Sequence, residues 1–259
     1  MMRPSLRAAS IALSIAAVAA ACNEVGTNAN APVAIQLDAP ASPSVLLGDT
    51  LRDSLGQVAP LHVVVFNFKN DSIPGIPVSF LAVDSTHSVT VDPALGIVVG
   101  HALIARVLVV ATAAGLQSIA DTIAVVDTPS VMLAEDSSRD SVDYSFANGL
   151  RDTTITLRVR LLHLPDAVPV PTYAVHYTIV HPSPYDNTDS TNAQLVKIGG
   201  TVGQVVDTTD ANGSTNLGLR ITPFTHAFND SIVVQVSASA PGGLPAGSPI
   251  TYVRRINIH

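Results

Sequence analysis

The chain has no tryptophan, one cysteine, two lysines (Lys69 and Lys197) and two glutamates (Glu24 and Glu135) in 259 residues. A lone cysteine excludes an internal disulfide. The shortage of Lys and Glu removes the usual surface helix formers. No window beyond the first residues carries a 3.6-residue apolar stripe, so a helical bundle is excluded too. The formal net charge of −7, with so few lysines, argues against nucleic acid, which is bound through clustered Lys and Arg. It also argues against electrostatic attachment to anionic lipid. No G-x-S-x-G elbow, H-E-x-x-H pair or phosphate-cradling glycine loop occurs. The expectation is a chain that is not an enzyme and needs no cofactor.

The first residues read as a signal. Arg3 and Arg7 precede an apolar run of about 14 residues, Ala8 to Ala21, which suits a signal peptide and falls short of the ~20 residues that span a bilayer. The run ends Val18-Ala19-Ala20-Ala21-Cys22. Small residues before a cysteine resemble a bacterial lipobox, although Ala19 stands where Leu is usual. The resemblance implies cleavage before Cys22 and lipid on its sulfur, hence a membrane partner through an N-terminal lipid. Ordinary cleavage after an Ala-x-Ala site is the alternative. Residues 1–21 are thus expected to leave as signal, and 22–31 to form the lipid anchor and a flexible tether. Without Arg3 and Arg7, 11 basic residues face 20 acidic ones, a net charge near −9 that serves solubility.

Val, Ile and Thr are abundant in the remainder of the chain, broken at short intervals by Asp-Ser, Asp-Thr, Pro and Gly. That alternation predicts an all-β chain. Twelve aspartates precede Ser or Thr, among them Asp49, Asp53, Asp84, Asp121, Asp136 and Asp207. Recurrence at strand boundaries is the mark of turn capping rather than of a catalytic carboxylate pair. The stretch Leu61 to Val83 reads as a strand, a turn around Asn70-Asp71-Ser72 and Pro74-Gly75, and a second strand holding Phe80. A looser copy runs from Ile155 to Val180 and holds Tyr177. Two copies of one hairpin predict two β-domains in series, 32–128 and 129–259.

The first segment, through VAIQLDAPASPSVLLGDT (33–50), PGIPVSF (74–80), LGIVVG (95–100) and VVATAAGLQSIADTIAVV (109–126), resembles the group 2 bacterial immunoglobulin-like domains of intimin-like surface proteins. The second, through VPVPTYAVHYTI (168–179) and TDANGST (209–215), resembles the group 1 domains of invasin-like adhesins. The resemblance implies two tandem immunoglobulin-like β-sandwiches, with Phe80 in the core of the first.

Site readings are sparse. Asp207, Asp210, Asn212 and Gly213 superficially match a calcium loop, but Thr208 and Leu219 fall in its first and twelfth slots, so an Asn-Gly turn is the expectation. His176 and His181, five apart on one strand, are expected on opposite faces, and no metal site is expected. The polar loop His181 to Asn192 has the length at which loops often carry function. Its Tyr185, Asp186 and Asn187 are the expected ligand contacts, and Phe224 and Phe228 are further aromatic candidates. The function these readings imply is a non-catalytic, lipid-anchored cell-envelope protein, at the outer membrane or cell surface or facing the periplasm. It would act in adhesion or as a scaffold on an envelope or surface protein or glycan; the alternative is a polysaccharide-binding module. Two sandwiches end to end would reach about 60–80 Å.

Overall fold

The computed structural model describes residues 30–145, 151–181, 192–197, 205–222 and 229–258. Those residues form strands and turns and no helix. The signal, Cys22, the loop residues Tyr185, Asp186 and Asn187, and Phe224 and Phe228 lie outside the described residues.

Nine strands make the first sandwich: β1 (Ala34–Leu37), β2 (Ser44–Leu46), β3 (Val63–Phe66), β4 (Val78–Val83), β5 (Val89–Val91), β6 (Val98–Gly100), β7 (Ile104–Ala113), β8 (Leu116–Gln117) and β9 (Asp121–Val126). One sheet has the order β2-β9-β7-β4, and β2 runs parallel to β9. The pairs β1-β3 and β5-β6 supply the opposing layer. Val45, Leu61, Phe80, Val98, Val109 and Ile123 fill the space between. The Phe80 ring lies over Gly96, where an added Cβ would come within 3.1 Å of it.

Eleven strands make the second: β10 (Val131–Ala134), β11 (Arg139–Tyr144), β12 (Thr153–Leu157), β13 (Val159–His163), β14 (Val168–Pro169), β15 (Ala174–His181), β16 (Asn192–Lys197), β17 (Val206–Thr208), β18 (Leu217–Thr222), β19 (Asn229–Ser237) and β20 (Ile250–Ile258). Its larger sheet runs β11-β20-β19-β15-β17, again with an early strand, β11, parallel to the last, β20. The sheets β12-β18-β16 and β10-β13-β14 form the other layer. A parallel pairing of an early strand with the last, inside otherwise antiparallel sheets, occurs at the same place in both units. Two facing sheets in this order define tandem immunoglobulin-like sandwiches.

This topology corrects the hairpin reading. β3 pairs with β1 while β4 pairs with β7, so Leu61 to Val83 crosses from one sheet to the other. Ile155 to Val180 does the same, since β12 pairs with β18, β13 with β10, and β15 with β19. The repeat is therefore real in position, but its two halves face each other across a core. That explains why each copy leaves its turn with a large aromatic, Phe80 or Tyr177, pointing inward. The Tyr177 hydroxyl sits 3.0 Å from the Leu157 carbonyl oxygen and 2.6 Å from Thr215 Oγ1, which satisfies its polar end.

Aspartates close many of the turns. The Asp53 carboxylate accepts from the Leu55 and Gln57 amides at 2.9 and 2.8 Å, and Asp84 from Thr86 and Val89. Those bonds, the Thr86 hydroxyl first, hold the Asp84 carboxyl down at about 2. The local account does not cover every case. Asp136 accepts from the backbone and guanidinium of Arg158, and Asp152 from Arg220, across 22 and 68 residues.

Candidate functional site

The two sandwiches share a joint. On β2 and β9, Val45, Ile123 and Val125 point into the first core. Alternation then turns Ser44, Leu46, Ala124 and Val126 to the opposite face. Those four are buried as well, and Leu46, Ala124 and Val126 belong to the core cluster of the second sandwich. The connection between Val126 and Val131 is itself bonded to the second unit. The Ser130 amide donates to the Leu162 carbonyl at 2.9 Å, the Ser130 carbonyl accepts from the Ala246 amide at 2.9 Å, and the Ser130 hydroxyl accepts from Leu164. His163 Nδ1 lies 2.8 Å from the Thr128 carbonyl oxygen.

Beside this joint opens a cleft of about 740 Å³. Its first wall is β2 with the segment 49–56; its second is the start of β15, Val206 and the turn 239–244. Each wall carries a largely exposed leucine, Leu55 on one and Leu244 on the other. The charges are already engaged. Arg52 meets Asp49 through Nε and Nη2 at 2.9 and 3.0 Å and donates from Nη1 to the Gly56 carbonyl at 2.9 Å. The guanidinium beside it lowers the Asp49 carboxyl from its usual value, against a smaller opposing effect of burial. The Tyr173 hydroxyl donates to the Ser239 carbonyl, and burial pushes its pKa up to about 12.

His176 projects from the outer face of β15 into this cleft, between the inward Val175 and Tyr177. Partial burial lowers its pKa from the usual imidazole value. Among the described residues it makes no hydrogen bond or ion pair. His181 stands at the far end of the strand, about 16 Å away, past a bulge between Ile179 and His181. The structure therefore does not bring the two histidines together. Among the described residues of the cleft, the Thr50 hydroxyl donates to Asp49 Oδ1 at 3.4 Å, a carboxylate already held by Arg52, and no hydroxyl is bonded to the His176 imidazole.

The TDANGST segment is a turn. Asp210 Oδ1 accepts from the Asn212 and Ser214 amides at 2.8 and 3.0 Å, and Gly213 adopts φ of 74°. Asp207 is buried, accepts from the Asn216 amide at 2.8 Å and lies 3.7 Å from Lys197 Nζ. The carboxylates are thus spent on backbone and lysine. Sequence reasoning missed the cleft, since its walls are joined only by the docking of one sandwich on the other. One signal was present: Ile123 to Val126 is apolar at every position, the pattern of a strand covered on both faces.

No family model and no curated protein matches the chain. Among solved structures, the chain is similar to the adhesin InvE of Yersinia pseudotuberculosis at 16% identity and a TM-score of 0.32. That match takes in 87% of this chain and 58% of that one. It is similar to domains 1–6 of the surface layer protein SbsC at 10% identity and a TM-score of 0.30, over 90% of this chain and 29% of that one. The D00-D0 domain of intimin aligns at 12% identity and a TM-score of 0.27, over 87% and 100%. The chain thus spans less than two thirds of the first two proteins. The fold assignment rests on the sheet order.

Proposed function

We infer that this protein is a non-catalytic cell-envelope lipoprotein, anchored through Cys22, that acts in adhesion or as a scaffold by binding an envelope or surface protein or glycan. The joint is the observation that carries the binding reading. A linker hydrogen-bonded to the second sandwich at Thr128 and Ser130, over a core to which both sandwiches contribute, fixes the two surfaces relative to each other. A fixed surface suits recognition, because little orientational freedom is lost on binding. Engaged carboxylates and an isolated His176 favour binding over catalysis. The anchor follows from the signal-like run and the placement of the only cysteine at its end.

Protease shaving of intact cells, with lysed cells as control, tests the reading. Release of peptides from residues 129–259 from intact cells is the expected result and places the second sandwich outside. Protection until lysis removes the adhesion version and leaves a partner inside the envelope.

A further inference from the structure

The end of the first sandwich away from the joint has an unusual surface. β1 starts with Ala34 opposite Phe66, and the Val33 amide donates to the Phe66 carbonyl at 2.9 Å. The turn after β3 closes through the Asn67 amide on the Asp71 carbonyl at 3.0 Å. At the same end β7 finishes at Ala113 and folds back into β8, which lies against β1. β9 runs the other way, from Asp121 opposite Val109 to Val125 opposite Ile104. The chain therefore enters at one end of this sandwich and leaves for the second at the other.

Three large apolar side chains stand in solvent on the entry end and its flank. Phe68 is 61% exposed, Ile119 is 90% exposed and Val33 is 50% exposed. Lys69, one of the two lysines of the chain, holds its ammonium 5.8 Å from the centre of the Phe68 ring. In a chain of net negative charge, this end carries aromatic and aliphatic side chains beside a cation, on a turn that also holds the exposed Asp71, whose carboxylate faces the Asn67 side-chain amide. Such a tip suits a bilayer surface, where apolar side chains enter the headgroup layer and a lysine keeps its charge at the phosphates.

The sequence brings that surface within reach. Cys22 precedes Asn30, the first described residue, by eight positions. Such a tether spans roughly 28 Å at full extension and about 16 Å on average. We propose that the tip formed by Val33, Phe68, Lys69 and Ile119 is a membrane-contact surface that docks the first sandwich on the bilayer and aims the second away from it. The inference rests on the lipid-anchored reading of Cys22, and its test is built so that the two fail separately.

The lack of tryptophan makes the test direct. The chain from Cys22 to His259, carrying Phe68→Trp, is coupled through its only cysteine to a maleimide lipid in zwitterionic vesicles with a small anionic fraction. This supplies an anchor whatever happens to Cys22 in the cell. The expected result is a blue shift of the tryptophan emission, loss of quenching by aqueous iodide, and quenching by lipids labelled near the headgroup. Leu244→Trp on the second sandwich, exposed in the same way, should stay open to iodide. Adding Ile119→Asp to Phe68→Trp should return the emission toward that of the soluble protein. A residue 68 reporter as open to iodide on vesicles as in solution overturns the proposal, as does equal shielding at 244. An intact mass of the native protein without acyl groups on Cys22 would instead remove the anchored reading.

Discussion

At the scale of single residues, Phe80 and Arg254 show opposite relations between side chain and core. Phe80 is buried between the sheets of the first sandwich and against Gly96. Phe80→Ala should cost about 3–5 kcal/mol, a large share of the ~5–15 kcal/mol that holds a domain. An unchanged melting transition for the first sandwich would reject its core role. Arg254 follows the inward alternation of β20 with Tyr252 and Ile256, and it is 1% exposed. Its Nε has no hydrogen-bond partner among the described residues; Nη1 is 3.4 Å from the Val253 carbonyl oxygen, and the guanidinium lies 5.3 Å from the Tyr252 ring centre. A buried charge with no carboxylate bonded to it among the described residues opposes folding. Arg254→Met keeps most of the volume and should stabilise the second sandwich by about 1 kcal/mol or more; a lower melting temperature would contradict that account. The resemblance to immunoglobulin-like domains implied the inward aromatic. It did not foretell the inward arginine, because a charged residue in an alternating strand is read onto the solvent face unless its neighbours are known.

Elements were legible where a strand carries its own pattern. Ile104 to Ala113 and Ile250 to Ile258 announce themselves by β-branched residues and alternation. β11, with the sequence RDSVDY, does not. It is polar, sits at a sheet edge and is held by parallel pairing with β20, more than a hundred residues away. Turn chemistry was easier to read, since an aspartate reaching its own backbone needs only local sequence. Where the carboxylate reaches another strand, as Asp136 does to Arg158, local reading had no access to the partner. The Asn-Gly turn supplies a prediction at this scale. Gly213 holds φ of 74°, and an added Cβ would fall 2.5 Å from the Leu161 carbonyl oxygen. Both effects oppose a side chain, so Gly213→Ala should destabilise by more than about 1 kcal/mol. Denaturant unfolding measures this, and a neutral result would mean that the turn is free to move away from β13.

For the whole molecule, the sequence indicated two similar sandwiches, while the way they meet was hidden. Ser44, Leu46, Ala124 and Val126 look outward from the first sandwich and would be a surface if it stood alone. Only the docking of the second unit explains their burial, and that docking also creates the cleft holding His176. The central claim is that this joint makes one rigid body with a fixed binding surface. Residual dipolar couplings of backbone amides, measured in a weakly aligned sample of the chain from Cys22 to His259, test it most directly. The account predicts that one alignment tensor fits both sandwiches, and that Val126→Asp, which places a carboxylate in the joint and spares the first core, splits it into two. Two tensors of different magnitude in the unmodified protein would contradict the account, and the two sandwiches would then have to be treated as separate binding modules on a flexible string.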